Sequence, residues 1–238
     1  MESIAERSAA LPERLEQVRE NLARAAGEVS RDPDEVTIVA VTKTLPVEVI
    51  RAGLAAGLDH FGENRIQEAL PKIDALAGEG PIWHLIGHLQ TNKARLAAGA
   101  FTMVESVDSE RIAAALQKRL EQEDRTLDVL VQVNTSGEES KFGLAPDLLR
   151  SLLEHTVEMD RLRVKGLMTI APFDDRESIV RPCFAALRRL RDEAQGWALP
   201  GCELTDLSMG MSGDYEWAVA EGATIVRLGS VLFGSRGS

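Results

Sequence analysis

The sequence predicts an α/β fold in which one parallel sheet closes on itself into an eight-stranded barrel. Three observations carry this. Eight short β-branched runs alternate strictly with amphipathic stretches along the 238 residues, the pattern of a parallel sheet with right-handed crossovers. A chain of this length matches the roughly 250 residues usual for eight βα units in one domain. An amphipathic helix also precedes the first strand, whereas ten residues follow Leu228, too few for a full eighth helix.

The elements follow in chain order. Leu11, Leu15, Val18, Leu22, Ala26 and Val29 recur at intervals of three and four, so the first segment is a helix with one apolar face. Glu13, Glu16, Glu20 and Arg24 mark its other face, and Asp32-Pro33-Asp34 ends it. Strands are expected near residues 36–41, 58–61, 82–86, 102–104, 128–133, 163–168, 203–207 and 224–228. Helices are expected between them, near 46–56, 65–76, 91–98, 109–123, 146–158, 176–195 and 213–221. With no room for a helix after the eighth strand, the N-terminal helix is the natural cover for the gap. An open doubly wound sheet is the alternative that the same alternation allows. No Pro/Gly/Ser tract, charge block or low-complexity run divides the chain, so residues 1–238 are expected to form a single domain.

Composition narrows the function classes. The chain is 44% hydrophobic and 27% charged, ordinary for a globular protein that needs no disulfide or metal to hold its core. Its 27 Lys and Arg against 38 Asp and Glu give a net charge of −11. That argues against non-specific binding to nucleic acid or to an anionic membrane, both of which need a positive field. No apolar run approaches the roughly 20 residues of a membrane span. The N-terminus alternates charges, without a signal-peptide apolar region. Cys183 and Cys202 are too few for a disulfide framework, so a reducing, cytoplasmic setting is expected.

In such barrels chemistry sits where strands run out into loops, and polar residues collect at those places. Thr42-Lys43-Thr44 follows the first strand, Gly62-Glu63-Asn64 the second, and Glu105-Ser106 the fourth. Asn134-Thr135 follows the fifth, with Lys141 further along that loop, and Thr169 follows the sixth. Lys43 comes almost directly after the apolar run 36–41. A lysine at the mouth of a dry barrel has its pKa lowered by desolvation, which makes the amine a nucleophile suited to a Schiff base; a lysine merely snorkelling from a strand end is the plainer alternative. Ser208–Gly213 is a Gly- and Ser-bearing turn into a helix, and Gly229-Ser230 is a second one. The loops after strands seven and eight are a common phosphate site in barrels, with backbone N–H groups as donors. Arg227 falls within the last strand, and turned inward it needs a partner or a ligand. His84-x-x-x-His88 has metal-ligand spacing on a helix, but Leu85 and Gly87 do not suit that motif, so no metal is expected. His60 and His155 have no partner pattern, the arginines at 188, 189 and 191 read as a solvated helix face, and Glu138-Glu139 reads as solvated loop.

Six stretches together carry a resemblance. They are Val39-Ala40-Val41-Thr42-Lys43-Thr44, Phe61-Gly62-Glu63-Asn64, residues 83–93 (WHLIGHLQTNK), Gly166-Leu167-Met168, residues 207–212 (LSMGMS) and Val226-Arg227-Leu228-Gly229-Ser230. In this order they resemble the pyridoxal phosphate homeostasis proteins, the YggS-like or proline-synthetase co-transcribed family, from about residue 10 onward. The resemblance implies a TIM-type barrel like the N-terminal domain of alanine racemase. It implies pyridoxal 5'-phosphate held as an internal aldimine on Lys43, phosphate contacts from Ser208, Gly229 and Ser230, Asn64 near the cofactor ring and Arg227 near the pyridine nitrogen. Lys141 matches a further lysine of the family, a secondary cofactor contact. Ser230 stands where many members have Thr, and Gly213-Asp214 where some have two acids, which leaves the role of that acid open.

The function so implied is non-enzymatic: binding, buffering and handing on the cofactor, with apo pyridoxal-phosphate enzymes as partners. The alternative is a small amino-acid racemase. Racemisation needs an acid–base group on each face of the substrate. In alanine racemases the group opposite the lysine is a tyrosine from a C-terminal β domain, whereas this sequence ends just past the eighth strand and its single tyrosine is Tyr215. The carrier reading is the one expected, with no catalytic residues.

Overall fold

The computed structural model describes residues 2–138 and 141–234. Its elements run α1 (Ile4–Glu28), β1 (Thr37–Val41), α2 (Val47–Ala55), β2 (His60–Glu63), α3 (Ile66–Ala75), β3 (Ile82–Leu85), α4 (Ala94–Ala100), β4 (Met103–Val107) and α5 (Glu110–Glu123). They continue with β5 (Leu127–Gln132), α6 (Leu149–Thr156), β6 (Leu162–Met168), α7 (Glu177–Gln195), β7 (Cys202–Met211), α8 (Tyr215–Ala220), β8 (Ile225–Leu228) and the short α9 (Ser230–Phe233). The strands are parallel and pair in sequence order, and β8 pairs back onto β1, with Val39 opposite Arg227, so the sheet is a closed barrel. The predicted architecture is thus borne out, and the open sheet is not what forms.

The alternation of side chains along each strand separates two apolar regions. Ala40, Phe61, Trp83, Leu85, Val104 and Val131 face the helices in the main core. Val39, Val41, Ile86, Leu130, Met168 and Ile225 form a smaller cluster of their own, on the opposite, inward face of the strands. It fills only part of the interior: His84, Glu105, Ser208 and Arg227 are also fully buried on these strands.

Helix α1 covers the gap as expected. Ser3 and Glu6 form a reciprocal capping box at its start, with Glu6 N–H donating to Ser3 Oγ at 3.2 Å and Ser3 N–H to Glu6 Oε2 at 2.7 Å. Leu11, Leu15, Val18, Leu22 and Ala26 are buried, and the helix packs against α2, α8 and α9. Buried Arg7 ties it to the far end of the chain by donating to the Phe233 carbonyl. Val29 caps the helix and is exposed, outside the stripe.

The boundaries depart from expectation at places that matter for the site. Strand β4 continues to Val107, so Glu105 and Ser106 are strand residues rather than loop residues. Strand β7 continues to Met211, so four of the six residues of the expected 208–213 turn are strand. The segments at 91–98 and 146–158 each open with a single 3₁₀ turn, Thr91–Lys93 and Pro146–Leu148, before their α-helices. Glu138 is exposed and pairs with Lys141 at 2.9 Å, while Glu139 lies outside the described residues. Both cysteines are free thiols, and burial pushes each of them up in pKa.

Candidate functional site

At the C-terminal mouth of the barrel lies a cavity of about 630 Å³. Val41, Lys43, Asn64, Ile86, Arg227, Gly229 and Ser230 line it from the strand ends. Met211, Ser212, Gly213 and Asp214 line it from the β7 turn, and Ile170, Pro172, Phe173 and Asp174 from the loop after β6. Five of the six residues expected at a cofactor site therefore meet in one place. The sixth, Ser208, is completely buried beneath it and does not line the cavity.

The turn carrying Lys43 is anchored from below. Thr42 N–H donates to the Gly62 carbonyl at 3.0 Å, and the Thr42 hydroxyl donates to Glu63 Oε1 at 2.7 Å. Lys72, reaching in from α3, donates to the same Glu63 oxygen at 2.7 Å and to the Thr42 carbonyl at 2.9 Å. Glu63 is fully buried and Lys72 nearly so, a setting in which losing one partner costs about 3–5 kcal/mol. Lys43 is thus presented by a preceding residue clamped through its N–H, hydroxyl and carbonyl. Thr44 next to it adopts the left-handed region, φ 64°, and completes the turn into α2.

Asn64 is set by a close approach of two loops. A Cβ at Gly87 would stand 2.2 Å from the Asn64 carbonyl oxygen, so glycine is required there for β3 to run out beside Asn64.

Arg227 points inward and is fully buried. Its Nη1 donates to Ser208 Oγ at 2.6 Å and its Nη2 to the Thr169 carbonyl at 2.7 Å. Burial lowers its pKa, while Glu105 and Asp214 oppose that shift. Glu105 lies 3.9 Å from Nη1 and takes hydrogen bonds from His84 Nδ1 (2.7 Å) and Ser208 Oγ (2.5 Å). Burial alone raises Glu105; the His84 hydrogen bond and charge, then Arg227 and Ser208, bring it below the ordinary carboxylate range.

The β7 and β8 turns are linked through one oxygen. Gly229 N–H and Val231 N–H both converge on Ser212 Oγ, at 3.1 and 3.3 Å. Gly213 leaves open space where a Cβ would stand. Gly210 has φ +93°, and a Cβ there would meet Ala218 Cβ at 2.6 Å, so it lets β7 turn sharply into α8. Asp214 accepts from Met211 N–H at 2.5 Å, and burial raises its pKa. Tyr215 faces away: its hydroxyl accepts from Asn21 Nδ2 of α1 at 2.9 Å. Lys141 pairs with Glu138 and is not among the cavity lining. Among the described residues no group of three or more His, Cys, Asp or Glu stands close enough to hold a metal ion, and no helix is long and apolar enough to cross a membrane.

The family described as "Alanine racemase, N-terminal domain" matches residues 14–237. The pyridoxal phosphate homeostasis protein of Aquifex aeolicus is 44% identical over 227 residues, covering 94% of this chain and 97% of that one. Its counterpart in Pseudomonas aeruginosa is 42% identical, covering 95% and 96%. Among solved structures, PipY of Synechococcus elongatus with PLP bound is 39% identical, with a TM-score of 0.79 over 90% of this chain and 100% of that one. The alanine racemase of Corynebacterium glutamicum, 17% identical with a TM-score of 0.72, shares the fold over 96% of this chain and 62% of its own. The chain belongs to the alanine racemase N-terminal-domain family and, within it, to the pyridoxal phosphate homeostasis proteins.

Proposed function

We propose that this chain binds pyridoxal 5'-phosphate in the barrel-mouth cavity and serves in intracellular homeostasis of that cofactor, buffering it and delivering it to apo pyridoxal-phosphate enzymes, without robust catalysis of its own. The observation that carries this reading is that an amine, a guanidinium and two Gly/Ser turns line one cavity. The donor set fits the cofactor's three functional groups. Lys43 supplies a primary amine for the aldehyde. Arg227 supplies N–H donors for the pyridine nitrogen, and a guanidinium only donates. The turns at 212–213 and 229–230 supply backbone N–H and hydroxyl donors for the phosphate.

Lys43 would hold the cofactor through Nζ, and the bound cofactor would supply an aldehyde carbon for that amine. The pairing of Gly229 and Val231 N–H groups on Ser212 Oγ favours Ser212, rather than the buried Ser208, as the hydroxyl beside the phosphate. Arg227, a donor only, does not protonate the ring nitrogen, which makes the ring a poorer electron sink for carbanion chemistry. Racemisation also needs a second acid–base group, and the Tyr215 hydroxyl is engaged by Asn21 outside the cavity.

Equilibrium binding of pyridoxal 5'-phosphate followed by mixing with an apo pyridoxal-phosphate enzyme tests the proposal. The expected result is one tightly held cofactor per chain, restored activity in the apo-enzyme, and only traces of Cα–H exchange when the loaded protein meets L- or D-alanine in heavy water. Exchange at an enzymatic rate, on the order of 1 s⁻¹ or faster, would overturn the carrier reading, and absence of binding would overturn the site.

A further inference from the structure

Behind Arg227 the barrel interior holds a connected run of polar side chains. His60 Nδ1 meets His84 Nε2 at 2.8 Å, His84 Nδ1 meets Glu105 Oε1 at 2.7 Å, and Ser208 joins Glu105 Oε2 to Arg227 Nη1 by bonds of 2.5 and 2.6 Å. The hydrogen directions follow from chemistry. An ionised carboxylate only accepts, so His84 Nδ1 carries a hydrogen and Ser208 donates its hydroxyl hydrogen to Glu105. The Ser208 oxygen is then left to accept from Arg227, which has no acceptor of its own. The links from His84 Nδ1 to Glu105, from Ser208 to Glu105 and from Arg227 to Ser208 each allow a single polarity, toward Glu105, whereas the direction of the His60–His84 link is set by the tautomer of the two rings. His84, Glu105, Ser208 and Arg227 are buried to 4% exposure or less, where a hydrogen-bonded network is fixed strongly because any loose member would be unsatisfied.

We propose that Glu105 is a positioning residue for the cofactor: through Ser208 and its own charge it holds the Arg227 guanidinium in the orientation that donates to the pyridine nitrogen. This rests on the reading that the cavity takes pyridoxal 5'-phosphate. Two facts support it. Arg227 is a buried cation, and a buried charge left without its partner is strongly destabilising; Glu105 stands 3.9 Å from its Nη1 as that partner. Glu105 is also held on both oxygens, by His84 on one side and Ser208 on the other, so it is itself fixed in place.

The test compares two ligands of nearly equal shape, pyridoxal 5'-phosphate and its analogue with C–H in place of the ring nitrogen. Their affinity ratio isolates the contact at the nitrogen, because changes in cavity charge or general packing act on both. The wild-type protein should prefer the natural cofactor by about tenfold or more, as expected for a hydrogen bond from a charged donor. In Glu105→Gln, which keeps size but removes the charge and one acceptor, the ratio should fall toward unity. Ser208→Ala, which cuts the link while keeping the charge, should lower the ratio in the same direction and serves alone if Glu105→Gln does not fold. A ratio unchanged in both variants would overturn the proposal, as would a wild-type ratio of unity. Failure of the wild-type chain to bind either ligand would instead overturn the cofactor reading beneath it.

Discussion

At the scale of single residues, the cavity depends on side chains and a glycine that do not line it. Lys43 is placed by Thr42, Glu63 and Lys72, three groups sharing a carboxylate oxygen and a carbonyl beneath the turn. Asn64 is placed by the absence of a side chain at Gly87. Substituting Gly87→Ala forces a methyl group against backbone rather than against a yielding side chain. The expected outcome is a loss of about 1–3 kcal/mol of stability, read from the urea midpoint, together with weaker pyridoxal 5'-phosphate binding in the fraction that folds. A variant as stable and as tight-binding as wild type would mean that the two loops separate freely. Lys43 and Arg227 were legible in the sequence because each follows or interrupts an apolar strand, where a long cation is conspicuous. Lys72 was not: on an amphipathic helix, a lysine nine residues after Glu63 looks like any solvated charge until the barrel closes and brings the two together.

At the scale of elements, the alternation of strands and helices was fully legible, and so was α1 as the helix that seals β8 against β1. Strand ends were less so. Polar residues such as Glu105 and Ser208 read as loop because strand interiors are ordinarily apolar. Here the barrel interior is partly polar, so β4 and β7 run on through them. The same effect moved the expected phosphate turn, leaving Ser212 and Gly213 at the cavity and Ser208 below it. In the proposed function the turns after β7 and β8 act together on the phosphate. Gly229→Val should therefore weaken pyridoxal 5'-phosphate far more than pyridoxal, which lacks the phosphate, because several charge-assisted hydrogen bonds of roughly 1.5–3 kcal/mol each are at stake. Equal weakening of the two ligands in parallel titrations would place the phosphate elsewhere.

At the scale of the whole molecule, the polar run through the barrel gives stability a dependence on pH. Burial, then the neighbouring His84, lowers the pKa of His60 from its ordinary 6.5, against the pull of Asp59 and Glu105. The unfolded chain therefore takes up a proton near pH 6.5 that the folded chain declines, so this contribution to stability is lost as pH falls below about 6.5. Glu105, held below its ordinary 4.5, contributes stability above that value that is lost as pH falls through its folded pKa. Melting temperatures measured between pH 7 and pH 5.5 should fall less steeply in His60→Gln than in wild type; equal slopes would show that His60 titrates alike in both states. The central claim, that Lys43 holds the cofactor at the barrel mouth, is tested most directly by trapping the bond. The loaded protein is reduced with borohydride, which turns the C=N bond into a stable secondary amine, and then digested and mapped by mass spectrometry. The label should fall on the peptide carrying Lys43, and Lys43→Ala should fold but lose both label and visible absorption. A label on another lysine, such as Lys141, with Lys43→Ala retaining full absorption, would contradict it.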